Sequence, residues 1–141
     1  MAITRHEVSV TWDTGSFSDS VPADSGVTSD ELTLDATCVQ AQITLKADNS
    51  TTPASNDIIY FWLLQSAGDP DGDAAGDEYD TTAHALRLGH IDTSDEATGT
   101  GIMTVQLPLP QKGIKIYAEG DTAGSTNPVT VSAVVSEQRA S

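Results

Sequence analysis

The sequence is poor in cationic side chains and in long apolar runs, and each shortage excludes a class of function. Only 6 Lys and Arg stand against 21 Asp and Glu, which gives a formal net charge of -15. Coulomb repulsion at that charge opposes sequence-independent binding to nucleic acid and to an anionic membrane. The longest apolar run, Ile58 to Leu64, is too short to cross a bilayer. We therefore expect neither nucleic acid nor a membrane as a partner.

Cysteine is almost absent. Cys38 is the only one, so an intramolecular disulfide is excluded. Its neighbours include Ala36, Thr37, Val39 and Ala41, and no base or cation is close in sequence, which favours a buried structural role over a reactive thiol. The first six residues contain no apolar segment, which predicts synthesis in a cytoplasm without a signal peptide.

The length of 141 residues predicts one domain, residues 1–141, with a core large enough to fold without a disulfide or a metal. Alternation of apolar and polar residues dominates the chain, and no helical stripe is present. About eight alternating segments are separated by turn residues. This pattern predicts an all-β fold, a β-sandwich of about eight antiparallel strands with a jelly-roll-like arrangement.

Particular segments give more specific predictions. Residues 1–6 are interpreted as an N-terminal arm, although alternation from Arg5 to Trp12 also predicts a strand. Residues 16–30 are polar and predict a surface loop or arm. The apolar face switches from even to odd positions near Thr37 and Cys38, which predicts a β-bulge or bend. The segment from Asp57 to Leu64 is apolar at successive positions, which predicts a central strand buried on both faces.

An acidic loop over residues 66–82 is the candidate metal site. Carboxylates at alternate positions can converge on Ca²⁺, and the spacing follows the ligand positions of an EF-hand loop. Two departures weaken the match, because Ala74 replaces the required glycine and the last carboxylate is an aspartate. The alternative is a solvated acidic loop without a metal. The candidate ligands are Asp69, Asp71, Asp73, Asp77 and Asp80.

Catalytic motifs are missing from the sequence. It contains no nucleophile-elbow motif, no phosphate-binding glycine loop and no Cys/His zinc spacing. His84 and His90 are six residues apart on one predicted strand, roughly 20 Å at about 3.3 Å per residue, so they cannot share a metal without a bend. With His6, they are interpreted as three unrelated histidines. We expect no enzyme activity and no cofactor.

Four aromatic residues could line a platform for sugars: Trp12, Tyr60, Trp62 and Tyr117. Tyr60 and Trp62 lie in the most apolar segment and are predicted to belong to the core. Trp12 ends the first predicted strand beside a loop, which makes it the better candidate for an exposed platform.

Three segments, residues 34–49, 61–72 and 107–118, resemble those of small structural proteins encoded by tailed bacteriophages, including head decoration (cement) proteins. The resemblance implies a subunit on the outer surface of the virion capsid, often a homotrimer, that bridges copies of the major capsid protein. On this basis residues 1–6 and 16–30 are expected to contact the capsid. Arg5, Lys112, Lys115 and Arg139 either pair with capsid carboxylates or stay solvated. The alternatives are a tail or head-fibre component, or a carbohydrate-binding β-sandwich module assisted by calcium.

Overall fold

The structure, a computed structural model, describes residues 2–13, 15–22, 24–49, 57–66, 79, 86–95, 99–108, 113–121 and 129–141. The five predicted calcium ligands, His84 and Lys112 lie outside the described residues. The described part contains one short 3₁₀ turn, Thr93–Asp95, and nine strands. The strands are β1 (Ile3–Ser9), β2 (Ser18–Val21), β3 (Gly26–Thr28), β4 (Cys38–Asp48), β5 (Ile58–Gln65), β6 (Leu86–Asp92), β7 (Thr100–Leu107), β8 (Ile114–Gly120) and β9 (Val129–Ala140).

The strands form two antiparallel sheets. The first has the order β1-β9-β4-β7, with β2 pairing to β9 beyond the end of β1. The second has the order β3-β8-β5-β6. From β4 to β9 the chain crosses between the sheets four times. This confirms the predicted all-β sandwich of antiparallel strands.

The core lies between the two sheets. Inward positions alternate with outward ones along β4 and β9 in the first sheet and along β5 and β8 in the second, as the period of two requires. Ile43, Leu45, Phe61, Leu63 and Ile116 are each no more than 1% exposed. Burial of side chains of this size stabilises the fold by roughly 1.5–3 kcal/mol each.

The predicted irregularity near Cys38 is confirmed, because the β4–β9 register shifts between Cys38 and Gln40. Two other predictions need correction. The segment 16–30 is more than a loop, since β2 and β3 each join a sheet. Residues 3–6 form no free arm, because they belong to β1 and pair along β9 up to Ala140.

The prediction for β5 is half right. It is a central strand, flanked by β8 and β6. It is not buried on both faces along its whole length, because Tyr60 and Trp62 are only partly buried on the outward side. Aromatic and β-branched residues suit either face of a sheet, so their presence alone does not distinguish core from surface.

Candidate functional site

The outer surface of the second sheet carries a group of aromatic and basic side chains. Cross-strand pairing places Trp62 of β5 between Arg87 of β6 and Tyr117 of β8. In the next row, Tyr60 pairs with His90 on one side and Glu119 on the other. We call this surface, defined by Tyr60, Trp62, Arg87, His90 and Tyr117, the aromatic face.

Arg87 is the centre of the aromatic face. Its guanidinium carbon lies 4.8 Å from the ring centroid of Tyr60 and 5.9 Å from that of Trp62, within the range of a cation–π contact. Its Nη2 is 3.4 Å from Nδ1 of His90, and the His90 ring lies 5.9 Å from the Tyr60 ring. Two aromatic rings and an imidazole therefore hold an exposed guanidinium over the sheet.

A bulge brings Arg87 and His90 to the same side. Strict alternation would place residues three apart on opposite faces. The β5–β6 register shifts between Phe61 and Trp62, so Phe61 pairs with Gly89 while Trp62 pairs with Arg87. Gly89 has a φ of +151°, a value that other residues rarely adopt. The sequence analysis missed this pair, and Gly89 within the strand was the one available signal.

The two tyrosines of this face are held by different contacts. The Tyr60 hydroxyl donates a hydrogen bond of 3.0 Å to Oδ2 of Asp121, and this bond, with burial, raises the pKa of the Tyr60 phenol. Burial, followed by the charge of Glu119, raises the pKa of Tyr117. A Cβ at Gly26 would overlap the Tyr117 ring, so the glycine in β3 leaves the space that this ring occupies.

The predictions for Trp12, Tyr60 and Trp62 are therefore reversed by the structure. Trp12, expected at the surface, is 0% exposed and belongs to the core. Tyr60 and Trp62, expected in the core, lie half-buried on the outer face together with Tyr117. The chain passes from β1 to an isolated bridge between Trp12 and Ser29, and this turns the indole inward.

The outer surface of the first sheet has a different composition. Two rows of paired outward residues cross the centre of this sheet from β1 through β9 and β4 to β7. One row contains Ser9, Val134, Thr44 and Thr104, and the next contains Glu7, Ser136, Gln42 and Gln106. The hydroxyls of Thr44 and Thr104 lie 3.1 Å apart and share a hydrogen bond. We call the outward positions of these four strands the neutral face.

Charge on the neutral face sums to zero. Its outward charged residues are Arg5 and Lys46, which are positive, and Glu7 and Asp48, which are negative. The net charge of -15 therefore belongs to the rest of the chain. Three large exposed apolar side chains also point outward here, with exposed fractions of 50% for Ile3, 67% for Ile102 and 37% for Val134.

Most of the cations expected to meet a partner already have contacts within the chain. Arg5 forms an ion pair of 2.7 Å with Glu7. Arg139 donates a hydrogen bond of 2.6 Å to buried Glu137, which raises the pKa of Arg139. The ammonium of Lys115 lies 4.9 Å from the ring centroid of Tyr79. The structure leaves the role of Arg5, Lys115 and Arg139 toward a capsid as a prediction.

The remaining candidates do not form a reactive centre in the described residues. His6 lies on β1 and His90 on β6, in different sheets, and neither hydrogen-bonds to a carboxylate or a serine hydroxyl within the described part. The described residues hold no group of three or more His, Cys, Asp and Glu that could bind a metal ion. Cys38 is half-buried against the core, and burial raises the pKa of its thiol. No helix in the described ranges is long and apolar enough to cross a membrane.

A cleft of about 440 Å³ opens at the edge of the sandwich where β6 approaches β7. It is lined by Val39, Leu86, Gln106, Leu107 and Pro108. None of the described lining residues has an ionisable side chain.

No family model matches the sequence, and no curated protein matches it. Solved structures share the fold. The vertex protein P5 of phage PRD1 superposes with a TM-score of 0.51 at 12% identity, covering 99% of this chain and 100% of that one. The xylan-binding module CBM15 gives a TM-score of 0.49 at 13% identity, covering 97% of each chain. The C-terminal CBM6 of LamC, a marine laminarinase from Zobellia galactanivorans, gives a TM-score of 0.43 at 9% identity, covering 96% and 99%.

At these identities the similarity shows the fold alone. A β-sandwich by itself does not choose between a virion structural protein and a carbohydrate-binding module. The residues on the two outer faces must decide between them.

Proposed function

We propose that this chain is a non-enzymatic structural protein of a phage virion that decorates the outer surface of the capsid. The neutral face would bind the major capsid protein and bridge neighbouring copies of it. The observation that carries the proposal is the separation of charge, because one whole sheet surface of a protein with a net charge of -15 sums to zero.

A surface of this composition is suited to burial against another protein. Removing unpaired charges from water costs several kcal/mol per ion, whereas Thr, Ser and Gln can exchange water for hydrogen bonds across an interface. Ile102 and Val134, exposed by 67% and 37%, add apolar area that gains from contact.

The size of the neutral face is also adequate. Four strands about 4.8 Å apart and about eight residues long span roughly 500 Å² in projection. Outward side chains increase the accessible area above that value, toward the roughly 800 Å² per partner of a standard interface. The acidic remainder of the surface would then face solvent, where a large negative charge favours solubility.

The similarity to the PRD1 vertex protein, which extends over the full length of both chains, supports a virion location at the level of the fold. We also propose that the protein assembles as a homotrimer. Among the described strands, β1 and β7 lie at the edges of the first sheet and β3 and β6 at the edges of the second, and edge strands can pair between subunits.

The test of capsid binding uses an isosteric charge change. Gln42→Glu places one carboxylate in the centre of the neutral face without changing side-chain volume, and Gln65→Glu makes the same change at the exposed end of β5. Co-sedimentation with capsids of the source phage that lack this protein measures binding. We expect Gln42→Glu to weaken binding at least tenfold, since burial of an unpaired charge is costly.

Gln65→Glu should bind like the unmodified protein. Equal weakening by both variants would mean that net charge matters and the neutral face does not. Wild-type binding by Gln42→Glu would refute the assignment of the face.

Copy number tests the virion role itself. Quantitative mass spectrometry of purified virions should give about one copy of this chain per capsid subunit. A few tens of copies would indicate a vertex, tail or head-fibre position. Absence from the virion would refute the proposal.

Carbohydrate binding is the second candidate, favoured by the aromatic face. Tyr60, Trp62 and Tyr117 present half-buried rings beside polar groups, which is the amphipathic surface that a sugar ring needs. Trp62→Ala should then remove retention on a glycan matrix, whereas Phe17→Ala, an exposed aromatic outside this face, should leave it unchanged. Retention that survives Trp62→Ala would exclude the aromatic face as the site.

A further inference from the structure

We propose that Arg87 binds the carboxylate of a single uronic acid unit in a short oligosaccharide. This inference rests on the second candidate function, carbohydrate binding on the aromatic face, and names the class of sugar for that site.

Arg87 has no carboxylate partner at ion-pair distance among the described residues. Acidic residues outnumber cations 21 to 6 in this chain. Arg5 and Arg139 accordingly form ion pairs with carboxylates. Arg87, within the described part of the chain, forms none. A guanidinium that forms no ion pair with any described carboxylate is complementary to a carboxylate from outside.

The guanidinium of Arg87 is held by ring contacts, with its carbon 4.8 Å from the Tyr60 centroid and 5.9 Å from that of Trp62. Its Nη2 lies 3.4 Å from Nδ1 of His90. The other N–H donors at the edge of the guanidinium can still make a bidentate contact with a carboxylate. Because the rings fix the side chain before a ligand arrives, less conformational entropy is lost on binding.

The residues beside Arg87 favour a sugar over other carboxylates. Trp62 and Tyr117 pair across β5 and β8 beside Arg87, and their half-buried rings offer apolar contact to the C–H side of a pyranose ring. His90 flanks Tyr60 and supplies a polar group for hydroxyls at the ring edge. A uronic acid presents an apolar ring side, hydroxyls and one carboxylate together.

Overall charge limits the ligand to few carboxylates. A polyanionic chain would be repelled by the net charge of -15. Asp121 lies at the hydroxyl end of Tyr60, which would repel a second carboxylate on that side. One uronic acid among neutral sugars meets both conditions.

The test compares two ligands that differ in one charge. A trisaccharide with a single glucuronic acid unit and the methyl ester of the same trisaccharide are titrated calorimetrically into the full chain. We expect the acid to bind roughly tenfold to a hundredfold more tightly than the ester, as for a hydrogen-bonded charge pair.

Variants then assign the preference to Arg87. Arg87→Gln should bind acid and ester equally, and Arg87→Lys should keep part of the preference because the charge remains without the planar fork. Lys46→Gln on the neutral face makes the same change in net charge and should keep the full preference. Thermal unfolding of each variant verifies that it is folded.

The outcomes separate the inference about the carboxylate from the broader proposal of carbohydrate binding. Equal binding of acid and ester by the unmodified protein would overturn the carboxylate inference and leave carbohydrate binding in place. Failure to bind either ligand would overturn both. Loss of the preference in Lys46→Gln would show that the net charge of the protein, and not Arg87, causes the tighter binding of the acid.

Discussion

Replacement of Trp12 by alanine tests whether this indole belongs to the core. Its side chain is 0% exposed, and it packs in the cluster that joins the two sheets. Removing a buried Trp or Phe side chain costs about 3–5 kcal/mol from lost transfer energy and the remaining cavity. Domains are stable by about 5–15 kcal/mol in total, so Trp12→Ala should lose a large part of that stability.

Urea unfolding and thermal unfolding measure the loss. At about 3–4 °C per kcal/mol for a domain of this size, Tm should fall by roughly 10–20 °C. Trp12→Phe keeps a ring in the core and should cost less, which covers the case in which the alanine variant does not fold. Trp62→Ala removes a half-buried side chain from the outer face and should cost less than either Trp12 variant.

The two tryptophans of the chain also allow a spectroscopic test. In Trp62→Phe the remaining fluorescence comes from Trp12, and acrylamide should quench it poorly. In Trp12→Phe the emission comes from Trp62 and should be quenched more readily. A loss of less than about 1 kcal/mol in Trp12→Ala, or equal quenching of the two residues, would refute the burial of Trp12.

Three further substitutions test other parts of the structure. Ser29→Ala removes the hydroxyl that accepts a hydrogen bond from the Ile116 N–H at 2.8 Å and donates one to a backbone carbonyl at 2.9 Å. Urea unfolding should show that the free energy of unfolding falls by about 1–3 kcal/mol. The control Ser9→Ala, at an exposed position, should cost less than about 0.5 kcal/mol. Gly89→Ala adds a Cβ at a φ of +151° and 2.7 Å from the sulfur of Met103. It should therefore destabilise the fold by roughly 1–3 kcal/mol. An unchanged Tm would argue against the bulge. Asp121→Asn removes the carboxylate that raises the pKa of the Tyr60 phenol. A raised folded pKa contributes stability below the unfolded value, near 10, and that stability is lost as pH rises through the folded pKa. In Asp121→Asn the phenol should therefore ionise at lower pH in ultraviolet difference titration, and the alkaline loss of stability should shrink. An unchanged titration would contradict the hydrogen bond.

Alternation along β4, β8 and β9 is strict enough to predict these strands and their inward faces. Ile43 and Leu45 on β4, like Ile114 and Ile116 on β8, point to the core as the period of two requires. The bulge beside Cys38 was also predictable, because the apolar face changes parity there. In these segments local pattern and tertiary packing agree.

Short strands escaped prediction for a physical reason. β2 and β3 contain four and three residues, too few for alternation to appear. Their strand conformation depends on pairing with β9 and β8, partners more than 80 positions away in sequence. The N-terminal residues likewise become part of a sheet only because β9 extends to Ala140.

By itself, the sequence determined the all-β class, the acidic surface and the apolar inner faces, because composition and a period of two are local properties. The tertiary structure decided which aromatic residues are exposed. Trp12 is buried by a bridge to Ser29, while Tyr60 and Trp62 reach the outer face through the pairing of β5. Arg87 and His90 meet only through the bulge at Gly89. The neutral face, too, exists only once β1, β9, β4 and β7 lie side by side, since the outward charges cancel within β1 and within β4 but only strand pairing joins them to the uncharged outward positions of β9 and β7.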